Sequence, residues 1–376
     1  MNDDVQIPAP TTSRAIRSLS VAAPDGLLNL SANLRPRSEP ACLDDVPGAG
    51  RLRMTREFSH MPVMVAEVVE ALALTPQGVI VDATVGGGGH AAALLEASSR
   101  HRLIGIDRDP EAIEAATIRL APFGARARLV RTRFDRLPEV LATEAAGEPV
   151  TGFLFDLGVS SLQLDEPERG FSYRFEAPLD MRMDPDEPLT AARIVNEWPE
   201  EELAALFVEN GEPRFARRIA RGIVSARPLA TTEELAETVR HALPAAARQR
   251  GGHPAKRVFQ AIRVAVNGEL ELLPVALEAA LSVLSPGGRA VVISYHSGED
   301  RIVKRTFAAA AAGWCTCPPG LPCVCGAVPA VAVLTRGARM PAQAELDSNP
   351  RASSARLRIA ERLDVPWRQN QMGEEA

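Results

Sequence analysis

From Phe58 onward, apolar and polar positions alternate between two rhythms. Short apolar runs of strand length lie at 79–84 (VIVDAT), 103–107 (LIGID), 128–132 and 152–157 (GFLFDL), and helix-patterned stretches lie between them near 89–98, 110–121 and 135–145. This alternation predicts a parallel sheet with crossover helices. After Asp156 the rhythm stops. Residues 161–265 are mainly helical in pattern and rich in charge before a strand returns at 289–294 (RAVVIS), which is the signature of a helical domain inserted into a sheet-forming one. A short helix at 299–312 and a basic strand at 355–361 (ARLRIAE) complete the sheet region. The organisation expected is therefore a Rossmann-like α/β sheet from 54–160 and 266–365, an inserted helical domain at 161–265, and a flexible tail at 366–376.

Residues 1–53 differ from all of this. They contain six prolines, no aromatic residue and a balance of six acidic against six basic side chains, without a sustained period, so disorder is expected there and Met54 is a candidate start. The 376 residues, 46% hydrophobic and 24% charged, exclude a wholly disordered or fibrous protein. No apolar run reaches the roughly 18 residues of a membrane helix, and the acidic Met1-Asn2-Asp3-Asp4 start is unlike a secretory signal. A cytoplasmic protein with no membrane partner is the expectation.

Charge is segregated along the chain. The chain carries 42 basic and 48 acidic residues, a net charge of −6, yet residues 212–263 hold eleven basic and four acidic side chains, a net of +7. Arg214, Arg217, Arg218 and Arg221 recur at helical spacing, and Lys256, Arg257 and Arg263 follow in the stretch His253–Arg263. A solvated helix face is the plain alternative. In an insert beside a reaction cleft, contact with an RNA backbone is the better reading.

The first strand runs into Asp82-Ala83-Thr84-Val85-Gly86-Gly87-Gly88-Gly89-His90 and then a helix. Four consecutive glycines at a strand-to-helix turn permit positive φ and close approach of a ligand to the backbone, while free N–H groups at the helix start favour an anionic group. Twenty-one residues after Gly86 the second strand ends in Asp107, placed to accept hydrogen bonds from a ribose diol. An empty tight turn is the alternative for the loop alone. The glycines do not follow G-x-G-x-x-G, and His90 stands where a phosphate-binding loop would carry lysine. S-adenosylmethionine has no phosphate and is favoured. Pro286-Gly287-Gly288 before the late strand agrees with a methyltransferase turn.

The fourth strand ends in Asp156-Leu157-Gly158-Val159-Ser160-Ser161-Leu162-Gln163, followed by Arg169-Gly170-Phe171-Ser172 and Leu179-Asp180-Met181-Arg182-Met183-Asp184. Together with GGH, IDRDP, His253–Arg263 (HPAKRVFQAIR) and Ser294–Lys304 (SYHSGEDRIVK), these motifs resemble the ribosomal small-subunit methyltransferase H family, also called the MraW methylases, over about residues 58–363. Departures from the family pattern, at positions 87, 162 and 298, touch only loop geometry. The resemblance implies a class I S-adenosylmethionine-dependent methyltransferase fold and N4-methylation of one cytidine in the decoding region of 16S ribosomal RNA. It carries cofactor contacts to Gly88, Gly89, His90, Asp107, Phe134, Asp156 and Gln163. The glycine loop, Asp107 and the Asp156 strand end follow from the residues alone; Phe134 and Gln163 come only with the family, Phe134 reading equally as a core aromatic.

The exocyclic amine of cytosine is a weak nucleophile, so in-line placement and a proton acceptor should dominate catalysis. Asp156 is one candidate acceptor, with Ser160, Ser161 and His296 as polar neighbours; turn capping is the alternative for each hydroxyl. No cysteine is placed as the attacking group that C5 methylation needs. Cys315, Cys317, Cys323 and Cys325 bracket one late loop, where four thiols in eleven residues could form a tetrahedral metal site, but C-x-C pairs are less usual than C-x-x-C and no metal is assigned. Two other classes compete: a ribosome assembly factor that keeps the fold without catalysis, and a DNA amino-methyltransferase, which usually carries a proline-proline-aromatic element absent here.

Overall fold

The computed structural model describes residues 62–210, 212–248, 255–318 and 321–367. The disorder expected for 1–53, His253 and most of the 366–376 tail lie outside the described residues. Among the described residues seven strands form one sheet: β1 (Gly78–Asp82), β2 (His101–Asp107), β3 (Ala127–Arg131), β4 (Val150–Asp156), β5 (Leu284–Ser294), β6 (Val331–Val333) and β7 (Arg356–Arg362). Their order is β3-β2-β1-β4-β5-β7-β6, with β1 to β5 mutually parallel and β7 antiparallel to both β5 and β6. This is the Rossmann-like α/β sheet expected from the sequence, with an antiparallel edge added.

Helices cover both faces, which is why β1 is buried at all of its positions and reads as a continuous apolar run. Strand alternation divides the core. Phe153, Phe155, Val79, Val81 and Val292 pack on one face with Leu277 and Phe307, while Leu154, Ile80, Val291 and Ile293 pack on the other with Leu72 and Leu94. The late strand differs from expectation: it begins at Leu284, so Pro286-Gly287-Gly288 lies inside β5, at a register shift opposite β4, rather than in a turn before it. Strand β6 was not foreseen, its three residues being too short for a pattern.

The helical region has its own apolar core, built by Phe171, Ile194, Leu203, Phe207, Ile219, Ile223, Leu235, Val239, Phe259 and Ile262. The helix Ala216–Ala226 turns Ala216, Ile219, Ala220 and Ile223 inward, the i, i+3, i+4, i+7 stripe of an amphipathic helix. Asn267 ties this region to the β2 end of the sheet: its side chain accepts from Met183 N–H and donates to Met181 C=O, while its own C=O accepts from the buried Arg108. Among the described residues, no helix is long and apolar enough to cross a membrane.

Candidate cofactor and methyl-transfer site

Strand order reverses between β1 and β4, and in such sheets the ligand crevice opens beyond the carboxyl ends of the strands on either side. Strand β1 ends at Asp82, and Ala83–Thr84, read from sequence as strand, already form the turn. Gly88 caps the helix Gly89–Ala97 with φ of 76°, a left-handed conformation that a side chain would strain, and a Cβ on Gly89 would stand 2.3 Å from Pro62 Cγ. The first N–H groups of that helix have no helical acceptor. The loop is tied to the second strand: Asp107 Oδ2 accepts from Gly86 N–H at 2.9 Å, and Oδ1 accepts from Asp109 N–H at 3.0 Å. Burial lifts the Asp107 carboxyl to about 6, despite these two bonds.

At the end of β4, Asp156 Oδ1 accepts from the Tyr295 hydroxyl at 2.8 Å and Oδ2 stands 3.6 Å from His90 Nδ1. His90 Nε2 is 2.8 Å from Val63 C=O, which can only accept, so that nitrogen carries a proton and Nδ1 is the one turned to Asp156. Burial raises Asp156 above the usual carboxylate range; His90 and Tyr295 pull it down, and Glu299 pushes it further up. Between these two strand ends lies Asp82, 1% exposed and lifted to about 8, chiefly by burial. Its Oδ1 accepts from Thr84 N–H, but its Oδ2 meets no partner among the described residues.

The remaining expected residues divide in role. Gln163 is buried; its side-chain N–H donates to Asp109 Oδ2 at 2.8 Å, and its Oε1 accepts from Ser160 N–H. Ser160 is the N-cap of the helix Ser161–Asp165, accepting from Gln163 N–H. His296 is likewise a cap: Nδ1 accepts from Gly298 and Glu299 N–H, and Nε2 lies 3.1 Å from Glu299 Oε1. Both side chains are thus occupied in capping, the alternative already open for Ser160. Phe134 follows β3 and meets Phe155 edge-on at 6.2 Å, half-buried at the strand ends.

Three contributors were missed by sequence reasoning: Asp82, Tyr295 and Arg169. Each sat inside a quoted motif without a role. Arg169 reaches Asp109 and Glu111 at 3.0 Å and the carbonyls of Arg182 and Met183, so it fastens the first loop of the helical region to the end of β2.

On the helical region Arg214, Arg217, Arg218, Arg221, Lys256 and Arg257 are exposed. Arg214 lies over the Phe215 ring, and Arg221 and Arg257 have carboxylate neighbours in Glu200 and Glu212. Arg263 is placed differently from the surface position expected of it. It makes two bonds of 2.8 and 2.9 Å to Glu269 in a pair only 14% and 10% exposed, because it projects from the inner side of the helix Lys256–Asn267.

The donor set fits S-adenosylmethionine. Asp107 and Asp156 face the glycine loop from the two flanking strand ends, an acidic environment that repels a pyrophosphate but suits a ligand with an ammonium and a sulfonium. The sequence profile of the MraW methylase family matches residues 57–363. The ribosomal RNA small subunit methyltransferase H of Heliobacterium mobile is 53% identical over 82% of this chain and all of its own length, and that of Symbiobacterium thermophilum is 54% identical over 85% and 99%. Among solved structures, an rRNA methylase from Streptococcus thermophilus overlaps loosely: TM-score 0.36 and 13% identity, covering 80% of this chain and 94% of that one.

Proposed function

Since the chain belongs to the MraW methylase family and is a methyltransferase that uses S-adenosylmethionine, we propose that it methylates N4 of one cytidine in the decoding region of 16S rRNA. The substrate is the small ribosomal subunit or its precursor, and the setting is the cytoplasm. The observation that carries this reading is the carboxylate at the β4 end, hydrogen-bonded by the Tyr295 hydroxyl and facing the His90 ring beside the glycine loop.

S-adenosylmethionine supplies an electrophilic methyl group. Gly88, Gly89 and the backbone N–H of His90 would border the methionine end, Asp107 would accept from a ribose hydroxyl, and Phe134 and Gln163 would bound the remaining wall. The incoming amine has its lone pair delocalised into the ring and cannot be a strong nucleophile, so orientation does most of the work. Asp156 takes the departing N–H proton. Its raised basicity suits it to that task, and the Tyr295 hydroxyl fixes the direction in which it accepts. Ser160 and His296 position this centre by capping the helices that start beside it rather than by exchanging protons. The target base must leave its stack to reach the strand ends, and the exposed arginines of the helix Ala216–Ala226 hold the surrounding backbone.

The test uses the purified full chain, S-adenosylmethionine and small subunits from cells lacking this gene, with nucleoside mass spectrometry of the product. N4-methylcytidine in the decoding-region fragment is expected. A methyl group on C5, on a ribose oxygen or on another base would overturn the reading.

A further inference from the structure

The helix Ser297–Ala311 and strand β6 are joined by a loop that the methyl-transfer site does not use. Residues 306–335 contain no charged side chain. Within the loop Leu321 is 65% and Val324 88% exposed, so no apolar core gathers its chain. Its two feet are well held. Trp314 meets Trp367 edge-on at 4.7 Å, and Ala330 N–H donates to Ala310 C=O at 2.9 Å.

Between those feet the thiols of Cys315, Cys317, Cys323 and Cys325 converge, all four sulfurs lying within 4.8 Å of one another. Cys315 and Cys323 are 3.5 Å apart, Cys323 and Cys325 3.5 Å, and Cys325 and Cys315 3.6 Å. A disulfide needs about 2.05 Å, and none of these pairs approaches it. A tetrahedron of thiolates at about 2.3 Å from a zinc ion has sulfur edges of roughly 3.8 Å, which is close to the separations found. Backbone N–H groups also point at the sulfurs: Val324 N–H to Cys317 Sγ at 3.4 Å, Cys317 N–H to Cys315, and those of Thr316 and Ala327 to Cys325. Amide donors aimed at sulfur stabilise thiolate ligands.

We propose that Cys315, Cys317, Cys323 and Cys325 bind a single structural zinc ion, which organises the loop between the helix Ser297–Ala311 and β6. The C-x-C spacing alone left the metal unassigned; the convergence of all four sulfurs assigns it. Each thiol loses its proton to solvent as the ion enters, so the closed shell of four thiolates has no open position and takes no part in methyl transfer.

The test is elemental analysis of the full chain purified under reducing conditions, together with cobalt exchange. About one zinc per chain is expected, and cobalt should give the thiolate charge-transfer and visible bands of a tetrahedral sulfur site. The double substitution Cys323→Ser and Cys325→Ser should lower zinc content at least about tenfold, since half of the ligands are gone, while calorimetry still shows S-adenosylmethionine binding. If that variant fails to fold, the cobalt spectrum of the unaltered chain decides. Zinc-free protein in which all four loop thiols are alkylated, with no cobalt spectrum, overturns the proposal. So does a mass short by two or four hydrogens, which marks disulfides, or iron with acid-labile sulfide.

Discussion

The carboxyl ends of the strands gather acidic groups and the helix Ala216–Ala226 basic ones, but the two regions use them in opposite ways. At the strand ends Asp82 is buried and Asp107 and Asp156 are half-buried, and loss of solvent lifts all three above the ordinary carboxylate range. On the helix, Arg217, Arg218 and Arg221 stand in solvent, turned away from an apolar face of alanine and isoleucine. Groups withdrawn from water have fixed geometry and altered proton affinity, which is what chemistry needs; exposed charge acts at a distance, subject to salt. Arg263 sharpens the contrast. It belongs to the same basic stretch, yet inside the fold it is consumed by Glu269 and is lost to any RNA surface.

The largest effect expected from breaking this contrast is at Asp156. Asp156→Asn keeps the shape and removes the proton acceptor, so kcat should fall by about 10²–10⁴-fold while cofactor affinity changes much less. Single-turnover methylation and calorimetry measure the two separately, and a kcat within a few-fold of the unaltered enzyme would remove Asp156 from proton transfer. Next in size is Asp107→Ala. Loss of its bonds to the ribose should weaken S-adenosylmethionine binding by about 1.5–3 kcal/mol, and unchanged calorimetric affinity in a folded variant would exclude it from the cofactor site.

The smallest effect is on stability against pH. With its folded pKa raised to about 8 from an ordinary 3.8, Asp82 remains protonated in the native protein at neutral pH, where the unfolded chain is ionised. Folding therefore takes up a proton, and the stability this contributes is present at low pH and lost as pH rises through about 8. Asp107 acts with the same sign, but its contribution is lost as pH rises through about 6. Between pH 6 and 9 the ligand-free thermal midpoint should fall by an amount that Asp82→Asn largely removes, about 2–4 °C for each kcal/mol involved. Parallel pH profiles of the two proteins would show that Asp82 does not carry the extra proton.

Strand β1, the glycine loop and Asp107 were legible in the sequence because period, turn chemistry and spacing all act locally there. The basic helix was legible for the same reason. What escaped depends on contacts across the chain. Tyr295 meets Asp156 from 139 positions away, and Arg169 meets Asp109 from 60. No local period announces either. Ser160 and His296 present the opposite case: polar residues beside a site invite a chemical role, while the structure shows each hydrogen-bonded as a helix cap. Arg263 escaped because helical spacing gives the face only relative to its neighbours, and Glu269, which neutralises it, lies on the next helix. The four thiols were visible as a group, but their convergence was not, since the prolines and the glycine between the pairs leave the path of the loop open.

The separation of docking from chemistry is tested most directly by the triple substitution Arg217→Gln, Arg218→Gln and Arg221→Gln. Small-subunit RNA binding is titrated against salt by filter binding, with cofactor calorimetry in parallel. Weaker binding is expected, with a slope of log affinity against log salt reduced by up to about 0.9 for each phosphate no longer neutralised, and an unchanged affinity for S-adenosylmethionine. An unchanged salt slope would contradict the account, because these arginines would then be no more than a solvated face; so would a collapse of cofactor binding, because the two regions would then not be separable.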